Sequence, residues 1–341
     1  YQSLGGADTI SNPFAGIVYD PDRPNVSADA VARALEGMAY NSYEARAFAA
    51  LVDENTTNAI TATGEANSLK LPTAGYYLTV DTTSVDGTQT ARNLDVLALT
   101  EANDNYTPNE KRDVPKLDKQ VLETNDSDAT TEWDDTAADY DIDDKVPFVL
   151  TGTIADNYNL YKVYKYVFHD TLSAGLTLDY KNDAAAEENA KVLKVYVNGI
   201  QITDGYDVNA TVNEDGTTSL TVTFGNLKTL TYGTDNTKID KDSVIQVVYT
   251  ATLNENATVG STGNSNEAYL EFSNDPNSTD DGDTGTTPTD KVTVFTFELD
   301  VNKVKEDSNA ENGTSPLEGA GFTLYKKYAT AQTDKGEALE G

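Results

Sequence analysis

The sequence of 341 residues contains no cysteine, one methionine, one tryptophan and one histidine. Without cysteine the chain forms no disulfide and offers no thiolate, and a single histidine leaves few of the ligands and bases on which most zinc sites and hydrolytic triads depend. Acidic turns such as the NEDG segment also lack the aspartate spacing and the terminal glutamate of a calcium loop. We therefore expect no metal site, no cofactor and no conventional turnover enzyme.

Basic side chains are also scarce, because 24 lysines and arginines stand against 57 acidic residues and give a formal charge of -33. A charge of this sign repels phosphate backbones and anionic membrane surfaces, so we expect neither nucleic acid nor a membrane as partner. No run is long and apolar enough to span a bilayer or to act as a signal peptide. These features, with so little that can be oxidised, predict a mature or trimmed ectodomain.

Residues 1–114 carry the clearest helical patterns of the chain. One begins near Ser27 and ends before Gly37, and in a second Asn41 and Glu44 have the spacing of a capping box. Later in this stretch SLKLPTAGYYLTVDTT and ARNLDVLAL alternate as strands do. The pattern predicts a mixed α/β domain.

From residue 115 to about residue 290 short alternating segments such as KVPFVLTGTI, SVIQVVYTATL and NEAYLEFSN follow one another between turn signals. This pattern predicts an all-β sandwich over residues 115–290. The polar segment TDDGDTGTTPTD indicates a linker, after which residues 291–341 open a third, short unit. The fold class predicted for the chain is therefore mainly β.

Three segments of the predicted sandwich carry side chains that can react with one another: Lys119 in PKLDKQV, Asp170 in FHDTLSAGLT and Asn274 in YLEFSNDP. A dry interior favours the neutral forms of an amine and of a carboxylic acid. A neutral amine is a nucleophile, and a protonated acid can polarise a carboxamide carbonyl. Brought together, the three groups would form an internal amide with loss of ammonia.

The motifs PKLDKQV, NLYKVYKYVFHDTLSAGLTL, NSNEAYLEFSNDP and VNKV followed by PLEGAGFTLYKK occur here in one order. In these motifs the chain resembles the major shaft pilins of sortase-assembled pili from Gram-positive bacteria. The resemblance is strongest over residues 115–327 and weaker in the first domain. It implies tandem immunoglobulin-like sandwiches of the collagen-adhesin type after the mixed N-terminal domain.

The resemblance implies a Lys119 to Asn274 isopeptide bond that forms autocatalytically, with Asp170 as the catalyst that shares the proton. It also implies that the third unit is the start of a B-type sandwich, in which Lys303 is the lysine of a second isopeptide bond. Lys305 replaces it if the register shifts by two residues. The asparagine and the glutamate expected to complete that second site do not occur in the sequence, so this domain is expected to be truncated.

Polymerisation in such pilins uses another lysine, which a sortase joins to the C-terminal threonine of the next subunit. The segment YTPNEKRDVPK offers Lys111 for this linkage, with Lys116 as the alternative. The partners implied are identical subunits in a head-to-tail polymer, a pilus-specific sortase, and tip and basal pilins. The implied location is an extracellular pilus anchored to the cell wall.

Two other functions remain open on the sequence. An adhesin module that binds a host matrix protein or a glycan is favoured by the 20 tyrosines, several of them alternating in YNLYKVYKYVF. A turnover enzyme is favoured only by His169 beside Asp170. Neighbours in a strand point to opposite faces, so one of that pair is expected to face solvent.

Overall fold

The computed structural model describes residues 113–124, 130–276, 284–319 and 321–323, together with residue 49 and four strands before residue 113. These four strands are β1 (Leu69–Leu71), β2 (Gly75–Val80), β3 (Leu94–Leu99) and β4 (Asn103–Tyr106). β1 pairs with β4 and β2 pairs with β3, both antiparallel. Strands were predicted where β1, β2 and β3 lie. The two predicted helices fall outside the described residues, apart from residue 49, which is helical.

The part of the chain from residue 117 to residue 295 forms one β-sandwich. Its strands are β5 (Leu117–Thr124), β6 (Thr131–Asp134), β7 (Ala137–Asp139), β8 (Lys145–Thr153), β9 (Tyr166–Leu172), β10 (Leu176–Leu178), β11 (Leu193–Val197), β12 (Ile200–Ile202), β13 (Asp207–Val212), β14 (Thr218–Phe224), β15 (Thr231–Tyr232), β16 (Thr237–Lys238), β17 (Val244–Leu253), β18 (Asn264–Ser273), β19 (Thr284–Thr286) and β20 (Asp290–Phe295). A short helix, α1 (Ala186–Val192), and two 3-10 turns (Tyr158–Leu160 and Leu227–Thr229) interrupt them. The prediction of a mainly β chain is confirmed.

The sandwich consists of two sheets, while β15 and β16 pair only with each other as a separate two-stranded sheet. The first sheet has the order β12-β11-β17-β8-β5-β6, with β10 also paired to β17. The second has the order β13-β14-β9-β18-β20-β7, with β19 also paired to β18. All neighbours run antiparallel except β20 and β7, which are parallel. Strands β5 and β17 therefore flank β8 in one sheet, while β9 and β18 are neighbours in the other.

The core lies between the sheets because the apolar positions alternate along each strand. In β17 and β18 every second residue is buried along ten residues. Strands β8, β9 and β14 contribute the aromatic side chains Phe148, Phe168 and Phe224, each at most 1% exposed. The inner faces of both sheets thus form one apolar interior that excludes water.

The structure differs from the predicted domain boundary at residue 290. Strand β20 begins at Asp290 and pairs with β18, from Ala268 opposite Asp290 to Asn264 opposite Val294. Strand β19, inside the predicted linker, also pairs with β18. The boundary was placed too early because the polar, Gly-containing segment was interpreted as a linker, whereas its end adds strands to the second sheet.

Beyond the sandwich, strands β21 (Val304–Glu306) and β22 (Thr314–Pro316) form an antiparallel pair. Their described residues are mostly exposed, including both candidate lysines, Lys303 and Lys305. No helix in the described ranges combines the length and apolar character needed to cross a membrane.

Candidate functional site

The most unusual side chain of the core is Lys119. It lies in β5, where Lys119 and Val121 alternate into the interior, and both are 0% exposed. The Lys119 Nζ lies 5.3 Å from the ring centre of Phe148 and 5.5 Å from that of Tyr249. An isolated ammonium in such surroundings is very costly, so a partner is required.

Asp170, in the opposite sheet, provides that partner. Its Oδ2 lies 2.6 Å from Lys119 Nζ, and the side chains are 1% and 0% exposed. In β9 the expected alternation holds, because Asp170 is buried whereas His169 lies on the outer face beside Glu271 and stacks on Tyr269. The structure therefore brings together two of the three predicted members of the site.

Tyr249 on β17 is a third member, and it was not predicted. Its hydroxyl donates to Asp170 Oδ2 at 2.6 Å and accepts from Lys119 Nζ at 3.0 Å. The ring is fully buried and stacks on Phe148 with a centroid distance of 5.4 Å. Tyr249 is thus held rigidly between the lysine and the acid.

Asn266 on β18 completes the cluster. Its side chain is 0% exposed, and its Nδ2 donates to the Tyr249 hydroxyl at 2.8 Å. The register explains this position: Ala268 lies opposite Asp170, and Asn266 comes two residues earlier on the same face. The four side chains, Lys119, Asp170, Tyr249 and Asn266, are called the core cluster below.

Two acceptor atoms in the core cluster have no hydrogen-bond partner: Asp170 Oδ1 and Asn266 Oδ1, both buried. A carboxylate oxygen and a carbonyl oxygen are both acceptors, so they cannot satisfy each other. A proton on the carboxyl group turns it into a donor, which the amide carbonyl can accept. Transfer of one proton from Lys119 to Asp170 therefore supplies the missing donor and removes two buried charges at once.

Burial lowers the pKa of Lys119 below its ordinary value, and the nearby Asp170 opposes this shift only in part. The same burial raises the pKa of the Tyr249 phenol well above its ordinary value, with the Asp170 carboxylate acting in the same direction. Burial thus makes Lys119 a weaker base than an exposed lysine, while the phenol of Tyr249 holds its proton more firmly. A neutral amine is the form that attacks a carbonyl carbon.

The backbone of Lys119 is fixed as well. Its N–H donates to Asp290 Oδ2 at 2.8 Å. Asp290 is the first residue of β20, so this contact joins β5 of one sheet to the start of a strand of the other. It fixes the lysine from outside the core while the cluster binds its amine inside.

The structure does not place Asn274 in the core cluster. Asn274 is buried, with 7% exposure, but it follows the end of β18. It lies six residues beyond Ala268, the residue opposite Asp170, which corresponds to roughly 20 Å along a strand. The carboxamide that contacts the core cluster is therefore that of Asn266 and not that of Asn274.

The sequence contained a signal for Asn266. In NSNEAYLEFS the inward positions are Asn264, Asn266, Ala268, Leu270 and Phe272. An asparagine among apolar residues on a core-facing stripe needs polar partners and so indicates a special environment. Tyr249 gave no comparable signal, because tyrosines fill many sandwich interiors.

The other predicted lysines lie apart from the core cluster or outside the described residues. Lys116 is exposed just before β5, where its N–H donates to Thr153 Oγ1. Lys111 lies outside the described residues. Lys303 is exposed and its carbonyl accepts from Leu317. The predicted roles of these three lysines stay predictions.

The tyrosines that suggested an adhesive surface are mostly internal. Tyr161, Tyr164 and Tyr166 are at most 3% exposed, and Tyr164 packs edge-on against Tyr161. In the parts of the chain that the structure describes, no group of three acidic or histidine side chains is arranged to hold a metal ion.

Three solved structures illustrate what the chain resembles. The 35 kDa C-terminal fragment of the major pilin GBS80 of Streptococcus agalactiae is 23% identical over 59% of this chain and 61% of its own, with a TM-score of 0.37. The T6 backbone pilin of Streptococcus pyogenes is 18% identical over 76% of this chain and 56% of its own, with a TM-score of 0.45. The full-length major pilin SpaD of Corynebacterium diphtheriae is 16% identical over 71% and 52%, with a TM-score of 0.39.

The chain spans between 52% and 61% of the length of these three structures. Scans against protein-family models and against curated proteins gave no match. The chain thus resembles major pilins of Gram-positive bacteria, with low identities and low TM-scores, and what it does has to be inferred from its own geometry.

Proposed function

We propose that the chain is a structural subunit of a covalently polymerised cell-surface pilus shaft, and that its central sandwich forms an intramolecular amide between Lys119 and Asn266. The observation that carries this proposal is the core cluster: a buried amine, a buried acid and a buried carboxamide joined by one hydroxyl. A pair of charges kept only for stability needs no carboxamide with an unsatisfied carbonyl beside it.

The reaction begins when Asp170 takes a proton from Lys119, which leaves a neutral amine and a carboxylic acid. The Lys119 nitrogen attacks the Asn266 carbonyl carbon, and the acid stabilises the charge that develops on Asn266 Oδ1. The Lys119 nitrogen then gives up a second proton, which goes to Nδ2, the carbon–Nδ2 bond breaks, and Nδ2 leaves as ammonia. Asp170 keeps the proton that it took at the start. One amine and one amide thus become one amide and ammonia, and Asp170 acts as the catalyst in a single turnover.

The bond would close a ring that contains most of the sandwich. Lys119 lies on β5, the first strand, and Asn266 on β18, so strands β6 to β17 lie between the two linked residues. Extrapolating the loop-entropy expression for disulfides gives about 5 kcal/mol of stabilisation, through the unfolded state. Tension applied to the chain passes directly from one linked strand to the other, which suits a subunit that transmits force along a fibre.

Assembly is proposed to use a sortase that joins Lys111, or alternatively Lys116, to the C-terminal threonine of the next identical subunit. Lys303 is proposed to belong to a second isopeptide site in a following domain. Tip and basal pilins and the cell wall complete the assembly. The exposure of Lys116 and Lys303 agrees with access for an enzyme or for a further segment.

Intact-mass measurement tests the proposal. The purified chain should weigh one ammonia less than its sequence, and peptide mapping should find the peptides of Lys119 and Asn266 joined. In Asp170→Ala the ammonia should be retained. An unmodified mass for the wild-type chain would exclude the cross-link. Joined peptides at Asn274 would show that the exchange of Asn274 for Asn266 is wrong.

A further inference from the structure

Tyr249 occupies a position that the cross-linking reaction, as described above, leaves without a role. Its hydroxyl oxygen contacts both nitrogens that exchange places in the reaction: Lys119 Nζ at 3.0 Å and Asn266 Nδ2 at 2.8 Å. The third contact of the hydroxyl is Asp170 Oδ2, to which it donates at 2.6 Å. Among the described hydrogen bonds, Tyr249 Oη is the atom that joins the attacking nitrogen to the leaving nitrogen.

The reaction needs a proton transfer between these two nitrogens. After attack, the Lys119 nitrogen carries a proton too many, and the amide nitrogen needs an additional proton before it can leave as ammonia. Bulk water cannot carry this proton, because Lys119, Tyr249 and Asn266 are all 0% exposed. The hydrogen bonds of the Asp170 side chain reach Lys119 and Tyr249 but not Asn266 Nδ2.

We propose that Tyr249 is a catalytic proton relay in the formation of the amide, a role that rests on the proposed function. Its oxygen accepts the proton released by Lys119 Nζ while its own proton passes to Asn266 Nδ2. The phenol is therefore regenerated, no net charge is created, and ammonia departs neutral. The hydrogen bond to Nδ2 reverses direction during the step, since the amide nitrogen gains a lone pair as the carbon becomes tetrahedral.

Other features of Tyr249 agree with this role. Burial and the Asp170 carboxylate raise the pKa of the phenol well above its ordinary value, so the proton to be relayed is present at neutral pH. The ring stacks on Phe148, opposite it in β8, so the oxygen has little freedom to move away from the two nitrogens. A relay that is fixed in advance pays no reorganisation cost during the reaction.

The experiment compares Tyr249→Phe with Tyr166→Phe. Tyr166 is a matched control, because it is also a fully buried tyrosine whose hydroxyl donates one hydrogen bond, here to the Thr153 carbonyl, but it lies four residues before Asp170 on β9. Each full-length chain is made as a short pulse in a cell-free system, and loss of ammonia is followed by intact mass in H₂O and in D₂O. Circular dichroism reports folding.

We expect Tyr166→Phe to react like wild type and Tyr249→Phe to react on the order of 10²-fold more slowly, as for the loss of a general acid–base group. We also expect a solvent isotope effect in wild type that is smaller in Tyr249→Phe. A folded Tyr249→Phe that reacts at the wild-type rate, or slowly with an unchanged isotope effect, overturns the relay.

If Tyr249→Phe does not fold, the wild-type isotope effect still decides, because its absence excludes a rate-limiting proton relay. A wild-type chain that loses no ammonia at all is a different result. That outcome rejects the proposed cross-link itself, whereas a cross-linked wild type with a fast Tyr249→Phe rejects only the relay.

Discussion

Lys119 Nζ lies 2.6 Å from Asp170 Oδ2 although the two residues belong to opposite sheets of the sandwich. In every other ion pair between described residues at least one side chain is more than 10% exposed. Removing one partner of a buried pair leaves an uncompensated charge. Replacement of either Lys119 or Asp170 is therefore expected to be costly.

Replacement of the acid should abolish the reaction without abolishing the fold. We expect Asp170→Ala to retain the mass of its sequence and to lose the roughly 5 kcal/mol of the cross-link. A further loss of about 3–5 kcal/mol is expected, because Lys119 then lies buried without its partner. Intact mass and urea unfolding measure the two effects. Asp179→Ala is the control, since Asp179 binds Lys145 at the surface. Cross-linking that persists in Asp170→Ala would contradict the assigned catalyst.

Substitution of Asn266 and substitution of Asn274 should have opposite effects on cross-linking if β18 pairs with β9 in the register described. We expect Asn266→Ala to keep its ammonia and Asn274→Ala to lose it as wild type does, because only Asn266 contacts the core cluster. Mass spectrometry of both variants after purification is sufficient. The reverse pattern would restore Asn274 as the reacting residue and refute the geometry described above.

The cross-link should increase the free energy of unfolding of the chain. We expect Asn266→Ala to unfold with a free energy about 5 kcal/mol below that of wild type, the loop-entropy value, in addition to the loss of one buried hydrogen bond. Denaturant midpoints measure this difference. The double variant Lys119→Met with Asp170→Ala provides a comparison in which the uncross-linked core carries neither buried charge, so we expect it to be more stable than Asp170→Ala. Equal stability of Asn266→Ala and wild type would contradict a covalent ring.

A second lysine, the partly buried Lys228, should make the stability of the chain depend on pH. Burial lowers its pKa from 10.5 to about 8, while its Nζ donates to the Tyr158 carbonyl and lies over the Tyr158 ring. Between pH 8 and pH 10.5 the unfolded chain binds more protons at this site than the folded chain, so this site makes stability rise with pH. We expect the stability of Lys228→Met relative to wild type to fall across that window, as measured by urea unfolding. A difference that does not change with pH would contradict the lowered pKa.

Polymerisation gives a separate prediction. With the pilus-specific sortase we expect Lys111→Ala to form no oligomers and Lys116→Ala to form them as wild type does. Tandem mass spectrometry of native fibres should identify a branched peptide at Lys111. A branch at Lys116 would support the alternative lysine, and a branch at neither would reject both.

Alternating patterns in the sequence were sufficient to predict strands over most of the sandwich and opposite directions for His169 and Asp170. These patterns could not predict features that depend on which strands, distant in the sequence, pair or face each other. Asn266 lies in β18 and Asn274 just after its end, and the position of Ala268 opposite Asp170 shows which of the two is near the acid. Tyr249 was not predicted for the same reason, because its hydroxyl reaches Asp170 only when β17 and β9 face each other across the core.

Strand β20 lies outside the ring that a Lys119 to Asn266 bond would close, yet it pairs with β18 inside the sheet and begins with the Asp290 that binds the Lys119 backbone. A pull on the chain beyond residue 295 would reach β20 before it reached the bond. Its few backbone hydrogen bonds can peel and re-form, while the covalent link cannot lengthen. If the proposed bond forms, a load at the C-terminal side of the sandwich would therefore extend β20 first and reversibly, and the bond would limit how far the rest of the sandwich can extend.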